Sequence, residues 1–470
     1  MSFTSRITNL AAGAGGGVGS AILTDITPSS GNISLKSFDA DSSTAYFCGT
    51  IGSYYNGSNA FYSIFLGKVN LSTGAVSDTY YDDQSATGAW FIDAEHAVLS
   101  GNNLICTGEQ GAYYQGYSVY SKATNYSFVY NAGWKSSTSF TFCSALNKAT
   151  PDYLFTCGTD LFSGDYRATV TKKDIDNNYT PWSTSLTLTA GVNDRASSVA
   201  CANAQDDAFA VLQMGGNKHP GLWKINEYGG TTWSRRIFPD STNLMDTSGN
   251  ITTPPNAIIM DSSDNAYVAF NLKMNTNVST NGRTGTYIYK MNTNGALQWA
   301  KLMYRSDGDH TVNVTSVEED SSGNILLGGY VRDHTPTQQT YDMFVARMNT
   351  SGTLTEFKTF RTTNTQSTST AVFYPSRVRE LSNGNIGALV THNIGTTSNN
   401  RSFFNCTSDM EGDFGDILVQ DYLSNITVTS DTSATASAAG TTTSLGSPTM
   451  TNFTNNLTST SVSSSVSTYG

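Results

Sequence analysis

The sequence is short of charge. Lys, Arg, Asp and Glu make up 13% of its 470 residues, about half the share of an ordinary soluble domain. What charge there is leans acidic, with 26 basic against 37 acidic residues and a formal net charge of −11. No basic stripe interrupts it, which argues against binding nucleic acid through phosphate neutralisation and against docking on anionic lipid. No run of about 18 apolar residues occurs, so nothing reads as a membrane span. No long segment repeats with a period of 3.6 residues, which argues against amphipathic helices. None of the six cysteines (Cys48, Cys106, Cys143, Cys157, Cys201 and Cys406) stands in a CxxC pair, so zinc is not expected. Cys48, Cys106 and Cys157 lie inside apolar runs and read as buried free thiols.

Signatures of catalysis are missing as well. The five histidines, His96, His219, His310, His334 and His392, show neither HExxH nor paired-ligand spacing. Each reads as a lone polar residue of a surface loop. No GxSxG elbow is present. The Gly-rich run at residues 13–19, GAGGGVG, lacks the Lys-Ser/Thr of a phosphate loop and follows no strand, so it reads as linker. The start of the chain superficially resembles a secretion signal, but its centre is Gly-rich rather than Leu-rich. The expectation is no catalytic residue, no cofactor and no enzyme.

Ser, Thr, Asn, Gly and Tyr take the place of charge, and short runs of strand formers recur. The clearest unit begins at Pro255. Ala257–Met260 reads as a first strand, Asp261–Asn265 (DSSDN) as a turn rich in residues that bond their own backbone. Ala266–Phe270 is a near-continuously apolar second strand, Thr286–Met291 a third and Ala296–Tyr304 a fourth. The order returns from Val312. Asp320–Asn324 (DSSGN) matches DSSDN, and Met348–Gly352 (MNTSG) matches Met291–Gly295 (MNTNG). Weaker copies of the second strand recur every 50–60 residues or so, and a basic residue closes successive third strands at Lys68, Lys122, Lys172, Lys224, Lys290 and Arg347. Trp182, Trp233 and Trp299 fall at fourth strands, with Phe357 in a similar place.

Four short antiparallel strands repeated about seven times predict an all-β chain folded as a single β-propeller. The blades are expected at about 28–81, 82–133, 134–186, 187–238, 239–303, 304–361 and 362–422. A Gly-rich N-terminal arm (1–27) and a Ser/Thr-rich C-terminal arm (423–470) flank the ring. The C-terminal arm has few apolar residues and is expected to be disordered in isolation. The arms are expected to mount the propeller on a larger assembly, so that removing 423–470 leaves a folded, soluble ring that no longer attaches.

The passages GNILLGGYV…DMFVARMNTSGTL and NAYVAF…YIYKMNTNGALQW resemble the bacterial seven-bladed propeller repeat family over about residues 30–420. That resemblance implies a fold and no particular chemistry. The Gly-rich start, low-charge β body and Ser/Thr tail resemble structural proteins of tailed phages, particularly marine ones. This implies a tail, fibre or capsid-attached component of a virion. Its partners would be other virion structural proteins and a host-surface glycan, with no nucleic acid and no membrane. The alternatives are a secreted or surface bacterial adhesin and, more remotely, a quinoprotein-like enzyme, since NTNGALQW resembles the Gly-Trp docking element of those repeats.

Two sets of residues stand out as candidate contacts. Tyr54 and Tyr55 of GSYYNGS, and Tyr113, Tyr114 and Tyr117 of GAYYQGY, fall between second and third strands of the first two blades. Exposed tyrosines there would stack on sugar rings or on a partner. Asp174, Asp176, Asp261 and Asp264 present oxygens at alternate positions as calcium loops do. The downstream Glu of an EF-hand is lacking, and turn chemistry accounts for them without a metal.

Overall fold

The computed structural model describes residues 21–469 apart from short stretches between strands, the longest being 83–91, 147–152, 188–193 and 364–369. The described strands form seven consecutive four-stranded meanders. Their innermost strands are Asn32–Ala40, Ile92–Ser100, Phe140–Leu146, Arg195–Cys201, Ile258–Met260, His310–Glu319 and Thr370–Glu380. In the fifth meander, Ile251–Thr252 also pairs with the second strand. The predicted strands around residues 257–304 appear as Ile258–Met260, Ala266–Lys273, Thr284–Met291 and Leu297–Arg305.

Second strands are apolar throughout because both their faces are covered. Ala266–Lys273 is buried along nearly its whole length. Seven hydrophobic clusters, each drawn mainly from two adjacent meanders, fill the spaces between them. One joins Phe38 and Phe65 of the first meander to Leu389 and Phe403 of the last. The ring is therefore closed by a core like those elsewhere, and the chain is a β-propeller. The meanders are its blades.

The last blade borrows its fourth strand from the other end of the chain. Ala21–Pro28 pairs antiparallel with Asn400–Cys406. The N-terminal boundary expected at residue 27 thus differs from the structure, in which 21–28 belong to the ring; residues 1–20 lie outside the described residues.

The C-terminal segment differs more. In chain order, Ile417–Asp421, Ile426–Ser430, Thr435–Ala438, Thr441–Gly446, Met450–Thr451, Leu457–Ser459 and Val462–Tyr469 add a fifth, outermost strand to blades 6, 5, 4, 3, 2, 1 and 7. The segment runs backwards once around the propeller as a belt. It is not a free arm. Blade twist makes this path available: at roughly 20–25° per strand pair, four steps turn the outermost strand well away from the channel direction and toward the circumference. Sparse apolar residues suffice, because main-chain hydrogen bonds to an existing edge do most of the holding.

Asp431 anchors the belt between blades 5 and 4. Its carboxylate accepts from the Tyr287 hydroxyl at 2.7 Å and from the Asp240 N–H at 2.9 Å. Burial and the nearby Asp431 charge push the Tyr287 hydroxyl pKa far up. Tyr422 packs beside Phe357 with ring centroids 6.2 Å apart.

Two repeated devices fix the outer turns. Trp182, Trp233 and Trp299 each donate from Nε1 to a main-chain oxygen in the third-to-fourth-strand turn of the next blade: Glu227 at 2.7 Å, Thr293 at 3.0 Å and Thr350 at 3.2 Å. Gly295 in one such turn has φ +77°, and a Cβ there would meet the Trp233 ring at 2.9 Å, so glycine is required twice over. The third-strand cations meet an Asp at the first turn and an aromatic ring. Lys290 lies 3.6 Å from Asp261 and 4.8 Å over Tyr267; Lys224 lies 3.1 Å from Asp207 and 5.3 Å over Phe209.

Candidate binding site in the central channel

Each inner strand except that of blade 5 carries a register shift at the same point of the repeat. The shifts fall between Leu35 and Ser37, Ala94 and His96, Thr141 and Cys143, Ala196 and Ser198, Val314 and Ser316, and Pro375 and Arg377. A bulge bends the strand and re-aims the side chain that follows. Here it turns a short polar or sulfur-bearing side chain, or Arg377, toward the neighbouring inner strand.

The result is a circuit of hydrogen bonds around the channel. Asp39 accepts from the Leu99 N–H at 2.8 Å, joining blades 1 and 2. His96 Nδ1 lies 3.1 Å from Ser144 Oγ, joining 2 and 3. The Val199 N–H donates to the Cys143 sulfur, joining 3 and 4. Ser198 Oγ accepts from the Ala257 N–H at 3.0 Å, and the Val317 N–H donates to the Asn256 carbonyl at 2.7 Å. Ser316 Oγ accepts from the Val378 N–H at 2.9 Å. Arg377 closes the circuit, donating to Ser37 Oγ at 2.7 Å and to the Ala97 carbonyl at 3.3 Å.

His96 also crosses the channel. Its Nε2 lies 2.6 Å from Asn256 Oδ1, a residue of the opposite side, and 3.2 Å from the Arg377 guanidinium. These side chains form a floor. A cavity of about 400 Å³ lies against it, lined by the later halves of the inner strands, among them Asp39, Glu318, Glu319, Arg377 and Arg379. Arg377 donates twice to Glu318 Oε1, at 2.7 and 3.1 Å, and Arg379 pairs with Asp39. Burial pushes the Glu318 carboxyl up, but the Arg377 and Arg379 charges outweigh it and hold it below the usual carboxylate range. Burial depresses Arg379, and Asp39 and Glu318 more than restore it. The cavity presents paired charges of both signs, suited to a small polar ligand rather than to a strongly charged one.

A Ser, His and Asp meet elsewhere, at the ring closure. His392 Nε2 lies 2.8 Å from Asp25 Oδ1 and 2.7 Å from Ser402 Oγ, while Ser402 Oγ donates to Asp25 at 2.6 Å. The Ile394 N–H donates to His392 Nδ1. A nucleophilic triad needs Asp on one ring nitrogen and Ser on the other. Here both crowd Nε2, so the cluster is a clasp that pins the N-terminal strand.

The predicted contact residues fare differently. Tyr54 and Tyr55 end the second strand of blade 1, opposite Ala60 and Asn59, and Tyr114 opens a strand opposite Gln110. The side chains of these three, and Tyr113 altogether, lie outside the described residues. Tyr117 is a correction. The strand starts at Tyr114, so Tyr117 falls on its inward side and is fully buried among Ile105, Val98 and Leu154; no sugar reaches it. The aspartates follow turn chemistry. Asp174 accepts from Asn177, and Asp176 is exposed in the same turn. Asp261 accepts from Ser263, Asn265 and Tyr267, and Asp264 takes a left-handed conformation, φ 57°. Among the described residues no three His, Cys, Asp or Glu side chains gather as a metal site.

His96, His310 and His392 are buried rather than exposed loop residues, a second correction. The missed signal was positional: each stands in an inner or second strand, where polar side chains survive only with partners. All six cysteines are buried, and none forms a disulfide.

Similar solved structures include the WD40 domain of Neurospora crassa Pan2 (7% identity, TM-score 0.44, covering 80% of this chain and 89% of that one). The polysaccharide lyase Uly1 (11%, 0.46, 79% and 89%) and Chaetomium thermophilum Sqt1 (10%, 0.42, 82% and 97%) are others. At such identities the likeness concerns fold alone. No protein-family model and no curated protein matches the chain.

Proposed function

We propose that the chain is a non-catalytic binding platform of a tailed-phage particle, as a tail, fibre or capsid-attached component. The belt carries this reading. An uncovered outermost strand is a template for pairing with neighbouring sheets, a hazard wherever many copies are held close together. A belt strand covers the outer edge of the fourth strand in every blade, leaving the two ring faces for specific contacts. The polar groups of the channel support the same reading, because Arg377, Arg379, Glu318 and Asp39 are engaged in holding blades together. Low charge and the Ser/Thr-rich end accord with it.

The test is peptide mass spectrometry of gradient-purified, nuclease-treated particles from a phage that encodes the chain. Peptides of this protein, including its last 50 or so residues, are expected at intensities comparable to those of the tail proteins. Recovery only from particle-free supernatant would overturn the proposal in favour of a secreted adhesin.

A further inference from the structure

The rim of the channel between blades 6 and 7 holds a cluster of aromatic rings that the ring closure does not use. Tyr330 stands in the second strand of blade 6 (Ile325–Asp333), Tyr341 in the third (Gln339–Met348) and Tyr374 in the inner strand of blade 7. Their ring centroids are 5.7, 5.9 and 5.7 Å apart, with interplanar angles of 49–59°. All three side chains are partly exposed, whereas the tyrosines inside the blades, such as Tyr287 and Tyr289, are fully buried. The parallel pairing of Gln339–Met348 with Thr370–Glu380 brings Tyr341 and Tyr374 together across the blade boundary. The rings sit toward the end of each blade that bears the second-to-third-strand loops, opposite the end bearing the tryptophan-docked turns.

Polar groups edge the cluster. Asn313, on the inner strand of blade 6, donates from Nδ2 to the Tyr330 hydroxyl at 2.8 Å. Its Oδ1 is buried and has no hydrogen-bond partner among the described residues. The Arg332 guanidinium lies 5.0 Å over the Tyr341 ring.

We infer that this cluster is a saccharide-binding site, in which a pyranose ring packs its C–H face on the exposed parts of the tyrosine rings and Asn313 holds the Tyr330 hydroxyl in place. The geometry excludes a cationic guest: rings under 6 Å apart leave no room for an ammonium between them, and Arg332 already occupies one face. Tyrosines lose little conformational freedom on binding, and their hydroxyls meet sugar hydroxyls at the rim of the stack. The inference deepens the platform reading by naming a ligand class and rests on it. Its test uses isolated protein, so failure here leaves particle membership untouched.

Purified full-length protein is screened on an array of neutral and carboxylated glycans, and hits are titrated by calorimetry. Binding to at least one pyranose glycan is expected, with Tyr341→Ala and Tyr374→Ala each weakening it about tenfold or more. Tyr341→Phe should retain most of the affinity, and Asn313→Ala should weaken it while leaving the melting temperature close to wild type. Should the alanine variants fail to fold, saturation-transfer NMR on wild type serves instead, and irradiated aromatic protons should label sugar ring protons. Absence of any glycan binding, or binding indifferent to Tyr341, Tyr374 and Asn313 together, overturns the assignment, and a protein ligand for this face would then take its place.

Discussion

The inside and the outside of this propeller are closed by different chemistry. At the channel, side chains join six of the seven pairs of neighbouring inner strands, with Ser37, His96, Cys143, Ser198, Ser316 and Arg377 following bulges and meeting the adjacent blade, while blades 5 and 6 meet through the Val317 N–H and the Asn256 carbonyl. At the circumference, one segment adds main-chain pairing to every blade in turn. The inner circuit depends on particular side chains at particular places. The belt depends on extended backbone with few demands on sequence, which is why Ser- and Thr-rich stretches serve. A single substitution is thus expected to cost more inside than outside, where the largest loss needs removal of a length of chain.

The largest effect that would break this contrast comes from the belt. Ending the chain after Tyr422 removes six of its seven strands. Loss of partly buried side chains such as Ile426 and Val428, together with exposure of blade edges, should lower the melting temperature by more than about 10 °C and promote aggregation. A truncated ring that melts like the full chain and stays monomeric would show the belt to be dispensable.

Within the channel, Arg377→Met leaves the partly buried Glu318 without its closest cation. A loss of about 3–5 kcal/mol in urea unfolding is expected. A loss under about 1 kcal/mol would place the closure energy elsewhere. Belt anchoring is next. Asp431→Ala removes the acceptor of the Tyr287 hydroxyl and the Asp240 N–H, at about 1–3 kcal/mol, read as faster hydrogen exchange in residues 426–438. Equal exchange in the variant and wild type would remove Asp431 from the belt's anchors.

A further effect concerns a site in neither region. Burial depresses the Lys173 ammonium to about 7. The unfolded chain then binds more protons than the folded one between about pH 7 and the ordinary lysine range. Stability therefore rises with pH across that window, and below it the penalty stays constant. Lys173→Met should abolish the rise, measured by melting at pH 7 and pH 9.5; an identical slope in the variant would refute the account.

Much of the architecture was legible in local pattern. DSSDN and DSSGN read as turns, and Asp261 and Asp320 do hold them by accepting from main-chain N–H groups two and four residues on. The tryptophans flagged at fourth strands proved to be the docking residues. Less of the channel could be read. His96 reads as an isolated polar residue, because its partners Ser144, Asn256 and Arg377 lie 48, 160 and 281 positions away. Tyr117 reads as a loop residue because the GAYYQGY run carries turn residues into the first positions of the strand Tyr114–Ser121, which hides the phase that turns its ring inward.

The sequence by itself determined the repeat, the turn positions and the apolar second strands, since these follow from period, turn chemistry and burial within about ten residues. Only the tertiary structure decided where the last 50 or so residues go, which side chains meet in the channel, and that Tyr330, Tyr341 and Tyr374 share one rim. A weakly apolar extended segment pairs equally well with any open edge, and side chains far apart in the chain become neighbours only when the ring closes.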